Sequence, residues 1–166
     1  MKRRKEISEI KNKPYKSTRK VYITLGKETA AIIQNCIENN IFYGIFPVSG
    51  DSMTCNDKRS IPDGCGIMVY DLEIDLKRPL IDNIGEIPLR EPVVLEIRNK
   101  QGQVNYLVKT ITFLDAVYER FRLTAYNPAP EYGSRWIPIN YVEKIYKVLQ
   151  VVSKEDLMEN SGKLSS

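Results

Sequence analysis

Two side chains in this sequence have the types that peptide-bond hydrolysis needs. Ser52 lies in Val48-Ser49-Gly50-Asp51-Ser52-Met53, directly after the apolar stretch 41–48, and Lys109 lies in Tyr106-Leu107-Val108-Lys109-Thr110. A serine hydroxyl becomes a nucleophile when a base takes its proton, and an amine can be that base once it is held neutral near pH 7. If 104–113 is a strand, one face carries Leu107, Lys109, Ile111 and Phe113, and the other Tyr106, Val108, Thr110 and Thr112. A lysine on such an apolar face is desolvated, which lowers its pKa. The competing reading puts Lys109 at a sheet edge with its amine snorkelling to water. Gly50, Asp51 and Ser52 are also common turn residues, and a helix cap at Asp51 or Ser52 would explain them without chemistry.

The 166-residue chain contains no histidine. That excludes Ser-His-Asp and Cys-His catalysis, histidine bases and histidine-bound metals for the chain acting alone. A hydrolytic base must then be Lys, Asp, Glu or Tyr, and Ser52 with Lys109 is the best pair available. Cys36, Cys55 and Cys65 form no CxxC pair, and their odd number and spacing argue against a disulfide scaffold or a zinc site. Cys55 could lie near Ser52, but no basic partner is evident. Glu28, Glu38, Asp57, Asp63, Asp71, Glu73 and Asp75 show no metal or paired-carboxylate spacing and read as solvated surface. No cofactor or metal is expected.

At 42% hydrophobic and 28% charged, the composition suits one globular domain with tails rather than a disordered chain. The net charge of +4 is concentrated at the start, in Lys2, Arg3, Arg4, Lys5, Lys11, Lys13, Lys16, Arg19 and Lys20. Such an arm can contact nucleic acid through phosphates, although a solvated tail is the plainer reading. No apolar h-region follows the basic start and no run of about 18 apolar residues is present, so a cytoplasmic protein without a membrane partner is expected.

The side chains must be positioned by elements that the pattern makes mostly strands. A basic arm (1–19), a domain (20–152) and a polar tail (153–166) are expected. Within the domain, 20–25 is β-like, and 27–40 has Ala30, Ile33, Cys36 and Ile37 at helical spacing. Strands are predicted at 41–48, 66–72, 92–98, 104–113, 118–126, the edge-like 135–140 and 143–152, with a loop at 127–134. The ten tyrosines and Trp136 read as core or sheet-face residues. In the tail, Ser153 with Asp156 predicts a capped helical turn.

"VSGDSM" (48–53), "IPDG" (61–64) feeding a strand, the strand lysine in "YLVKT" (106–110) and "LTAYNPAPEY" (123–132) together resemble the peptidase domain of LexA-type repressors, phage repressors and UmuD. The ordered set spans about residues 42–152. The resemblance implies a mainly β, LexA/signal-peptidase-like domain with one N-terminal helix. It implies Ser52 as nucleophile, Lys109 as general base and an oxyanion hole from the backbone N–H groups of Asp51 and Ser52. It also implies regulatory cleavage of a peptide segment, the chain's own N-terminal arm or another protein, prompted by a RecA-type filament on single-stranded DNA, and a homodimer joined through the late strands. Three departures stand out. The 51 residues before Ser52 hold one credible helix and leave no room for a helix-turn-helix, so direct DNA binding is not expected. Residues 1–51 contain no Ala-Gly or Cys-Gly pair for self-cleavage, and segments 54–60 and 72–91 read as insertions. The competing class is a non-catalytic regulatory or DNA-damage accessory module that keeps the fold and binds a protein or DNA.

Overall fold

Alternating side chains give each strand two faces, and this fold covers both faces of its central strands. The computed structural model describes residues 25–157. The expected arm, residues 20–24 of the first β-like run and the tail from 158 lie outside the described residues. Helix α1 (Lys27–Glu38) precedes β1 (Tyr43–Pro47), β2 (Gly66–Asp71), β3 (Pro92–Arg98), β4 (Val104–Asp115), β5 (Arg120–Thr124), β6 (Arg135–Pro138) and β7 (Val142–Val152). These strands form one sheet in the order β1-β2-β7-β3-β4-β5-β6, with every neighbouring pair antiparallel. The expected mainly β architecture with one N-terminal helix is therefore present.

The strand alternation sorts residues between two cores. On one face Phe46, Ile67, Val69, Val94 and Tyr146 pack with Met53 and Ile61 from the β1–β2 connection. On the other, Val93, Leu95, Ile111, Phe121, Leu123 and Ile145 pack with Leu80 and Ile87. Val93, Val94 and Leu95 are all fully buried, which a central strand with both faces covered requires. Each such aliphatic side chain contributes about 1.5–3 kcal/mol of apolar burial. Leu80 and Ile87 come from segment 72–91, so the apparent insertion is a packed cover over the second face. The backbone N–H of Leu80 ties it down by donating to the Glu119 carboxylate at 3.1 Å.

Several local expectations are corrected. In α1 the buried stripe is Thr29, Ile33 and Cys36; Ala30 is exposed and Ile37 is 51% exposed. Ile33 of the helix packs with Ile45 and Met68, with Tyr43, Leu149 and Leu157 around them, and this contact covers one row of its side chains. In β4 a register shift between Ile111 and Phe113 interrupts the alternation. Phe113 is therefore exposed and rests edge-on against Trp136, itself 40% exposed, at 5.9 Å, while Leu114 takes the inward place. The strand predicted at 118–126 covers only Arg120–Thr124. Ser153 does cap a helical turn, its Oγ accepting from the Asp156 N–H at 3.1 Å.

Candidate active site

Ser52 lies in a loop whose neck is closed by strand pairing. β1 and β2 pair as far as Pro47 opposite Gly66. Beyond them the Val48 N–H donates to the Cys65 carbonyl at 2.8 Å, and the Gly64 N–H donates to the Val48 carbonyl at 2.9 Å. Gly50 turns the chain at φ 85°, a left-handed conformation that disfavours any side chain, and its N–H donates to Asp63 Oδ1 at 2.8 Å. On the other side of the serine, Met53 is 1% exposed and its carbonyl accepts from the Ile61 N–H at 2.9 Å. Ser52 is thus held half-buried between an exposed glycine turn and a methionine anchored in the core. Met53 is a packing residue beside Ser52.

Lys109 reaches this loop because of where β5 ends. β3 pairs with β4 along 104–110, whereas β5 joins β4 only from Thr110 onward, with Thr110 opposite Thr124. Among the described residues, the second edge of β4 over 104–109 is therefore unpaired, and Lys109 is its last residue. Its register partner Val93 and the next same-face residue Ile111 are both fully buried, so the lysine occupies an apolar row. Lys109 Nζ lies 2.6 Å from Ser52 Oγ. Among the described residues, no carboxylate pairs with this amine. Burial, and then the positive charge of Arg135, lower its pKa from the ordinary 10.5. The lysine does not point into open water.

The segment after β5 crosses to the Ser52 loop. The Asn127 N–H donates to the Ser52 carbonyl at 3.0 Å, and its Nδ2 donates to the Asp51 carbonyl at 2.9 Å. Nothing in the sequence beyond the loop dipeptide Asn127-Pro128 marks this role. Neither the Asp51 nor the Ser52 backbone N–H donates to another described residue, as donors reserved for a developing oxyanion would require.

The remaining polar residues sort by burial. The Cys65 thiol is pushed up to about 11 by burial, so it is a protonated core residue. Cys55 Sγ lies 3.4 Å from Asp57 Oδ1. Asp57 pairs with Arg59 at 2.8 Å, and Arg59 covers the Tyr126 ring at 4.9 Å. Two acids expected as solvated surface have other roles. Asp63 anchors Gly50, and Asp71 is buried, with Lys144 at 3.6 Å. Among the described residues, no His, Cys, Asp and Glu cluster could hold a metal ion, and no helix is long and apolar enough to cross a membrane.

A groove of about 410 Å³ lies between residues 105–107 of β4 and 135–137 of β6, lined by Tyr106, Leu107, Arg135 and Trp136 among others. It adjoins the unpaired β4 edge that ends at Lys109. A second cavity of about 900 Å³, between 74–79 and 138–143, shares no residue with the Ser52–Lys109 pair. Compared with known proteins, the chain matches no family model, no curated protein and no solved structure.

Proposed function

We propose that the chain is a Ser-Lys serine peptidase of the LexA/UmuD type that cleaves a peptide segment. One observation carries the reading: a half-buried lysine with no acidic partner among the described residues places its amine 2.6 Å from a serine hydroxyl. Desolvation favours the neutral amine, the form that can take the serine proton. Ser52 Oγ bonds to the scissile carbonyl carbon as its proton passes to Lys109 Nζ, and the carbonyl oxygen takes up the displaced electron pair. The N–H groups of Asp51 and Ser52 hold that oxyanion. Collapse breaks the C–N bond, and the leaving amine takes the proton from Lys109. Water, deprotonated by Lys109, then adds to the acyl carbon, the bond from that carbon to Ser52 Oγ breaks, and Ser52 takes the proton back from Lys109.

A peptide suits the site because an extended segment can add to the unpaired β4 edge and run its carbonyls past Lys109. The lack of Ala-Gly or Cys-Gly in residues 1–51 favours another protein over the chain's own arm as substrate. The family resemblance supplies the setting: regulatory cleavage in a cytoplasmic stress or phage-related transcriptional response, prompted by a RecA-type filament, with the protein acting as a homodimer. The test is incubation of the purified chain, alone and with candidate partner proteins, at alkaline pH and with a RecA filament on single-stranded DNA, with products read by intact-mass spectrometry. Cleavage that disappears in Ser52→Ala and Lys109→Ala supports the reading. Intact wild-type protein and intact partners under both conditions refute it and favour a non-catalytic regulatory module.

A further inference from the structure

We infer that Asn127 is a positioning residue that orients the two peptide groups flanking Ser52 and so aims the Ser52 N–H, one of the two donors proposed for the oxyanion. The inference rests on the Ser52–Lys109 reading and adds a residue to it. A trans peptide unit is planar, with its C=O and N–H pointing in opposite directions, so fixing the carbonyl fixes the N–H. The Asp51 carbonyl belongs to the same unit as the Ser52 N–H, and it accepts from Asn127 Nδ2 at 2.9 Å and from the Thr54 N–H at 3.0 Å. The Ser52 carbonyl belongs to the same unit as the Met53 N–H, and it accepts from the Asn127 N–H at 3.0 Å. One residue therefore fixes both planes.

The orientation of the Asn127 amide is itself settled. Its Oδ1 accepts from the Ala129 N–H at 3.0 Å, which leaves Nδ2 as the donor toward Asp51. Asn127 also follows closely on Thr124, whose partner Thr110 is the residue after Lys109. The clamp on the nucleophile's peptides is thus built on the strand beside the base.

The experiment uses a fluorophosphonate probe on the full chain from pH 7 to 11, with Ser52→Ala as the zero. Ser52 Oγ forms a bond to phosphorus, the P–F bond breaks, fluoride leaves, and the serine proton passes to Lys109. The phosphoryl oxygen occupies the oxyanion position. Asn127→Ala should label about 10- to 100-fold more slowly than wild type, somewhat less than the loss of an oxyanion donor itself. Asn127→Asp keeps the size and the acceptor for Ala129, but it sets a carboxylate oxygen against the Asp51 carbonyl. It should label more slowly than Asn127→Ala even if it melts no lower, an order that a mere loop brace would not produce. The pH midpoint, set by Lys109, should match wild type in Asn127→Ala, which changes no charge near the amine. Should Asn127→Ala fail to fold, Asn127→Ser retains the local turn through its hydroxyl and should show the same loss. Wild-type labelling with equal rates in the variants, or an Asn127→Ala midpoint that moves with the rate, overturns the role of Asn127 alone. A wild-type Ser52 that takes no label refutes the dyad reading, and this role with it.

Discussion

Lys109→Met separates a catalytic lysine from a structural one, because the two roles predict opposite changes in stability and reactivity. Methionine keeps an unbranched side chain in the apolar row beside Val93 and Ile111 but removes the amine. Loss of the hydrogen bond to Ser52 costs about 1 kcal/mol. Removing the amine's desolvation returns about 1–2 kcal/mol, the low end of the range because the amine is only half-buried and partly screened by solvent. The net change at pH 7 is then about 0 to +1 kcal/mol. With an unfolding entropy of about 2.1 cal/mol/K per residue over residues 25–157, 1 kcal/mol moves Tm by about 3–4 °C. The variant should therefore melt at the wild-type temperature or slightly above it. Since folding lowers the Lys109 pKa below 10.5, the wild-type penalty is full below the lowered pKa. It fades as pH rises through that value and is gone above 10.5. The stability advantage of methionine should fade with it. Labelling of Ser52 by a fluorophosphonate should fall by about 10²- to 10⁴-fold, the usual contribution of a general base. Thermal melts by circular dichroism at pH 7 and 10.5, with intact-mass spectrometry for labelling, read both quantities. A Tm loss above about 5 °C at pH 7, or labelling within about threefold of wild type, would show Lys109 to be structural and defeat the reasoning.

Other substitutions test the frame around the dyad. Met53→Ala empties a site that is 1% exposed next to Ser52 and should cost about 3 kcal/mol, or roughly 10 °C in Tm, by calorimetry. Gly50→Ala adds a Cβ that meets nothing within 4 Å but sits at φ 85°, so the cost is backbone strain of about 1–2 kcal/mol. A Tm equal to that of wild type would show that the turn relaxes freely. Arg135→Gln removes the second cause of the lowered Lys109 pKa while leaving burial in place. The pH midpoint of Ser52 labelling should rise yet stay below 10.5, and an unmoved midpoint would show that Arg135 is screened from the amine.

Much of the frame was legible because strand alternation is local. The segment 92–98 reads as a strand from its composition and is β3. The next segment, 104–113, also reads as a strand, and the two pair as neighbours. What escaped the pattern depends on partners distant in sequence. The sequence puts Ala30 and Ile37 on the apolar row of α1, and it is packing against Ile45 and Met68 that leaves them out and buries Thr29 along with Ile33 and Cys36 instead. Phe113 reads as inward because nothing in its neighbourhood signals the register shift that turns it out. Asp71 reads as surface, yet it is buried with Lys144 beside it. Asn127 reads as a loop residue because its acceptors at Asp51 and Ser52 lie far back in the chain.

By itself the sequence determined the chemical repertoire: no histidine, a serine in a glycine turn after a strand, and a lysine in an otherwise apolar strand row. Only the tertiary structure decided that these two meet. Their atoms are separated by 57 positions in the chain and by 2.6 Å in space. That approach depends on the closed neck of the 48–65 loop, on β5 leaving β4 at Thr110, and on β4 pairing with β3 in one particular register. A slip of one residue would turn Lys109 to the opposite face of the sheet. Composition is indifferent to such a slip, and only the packed cores on both faces forbid it.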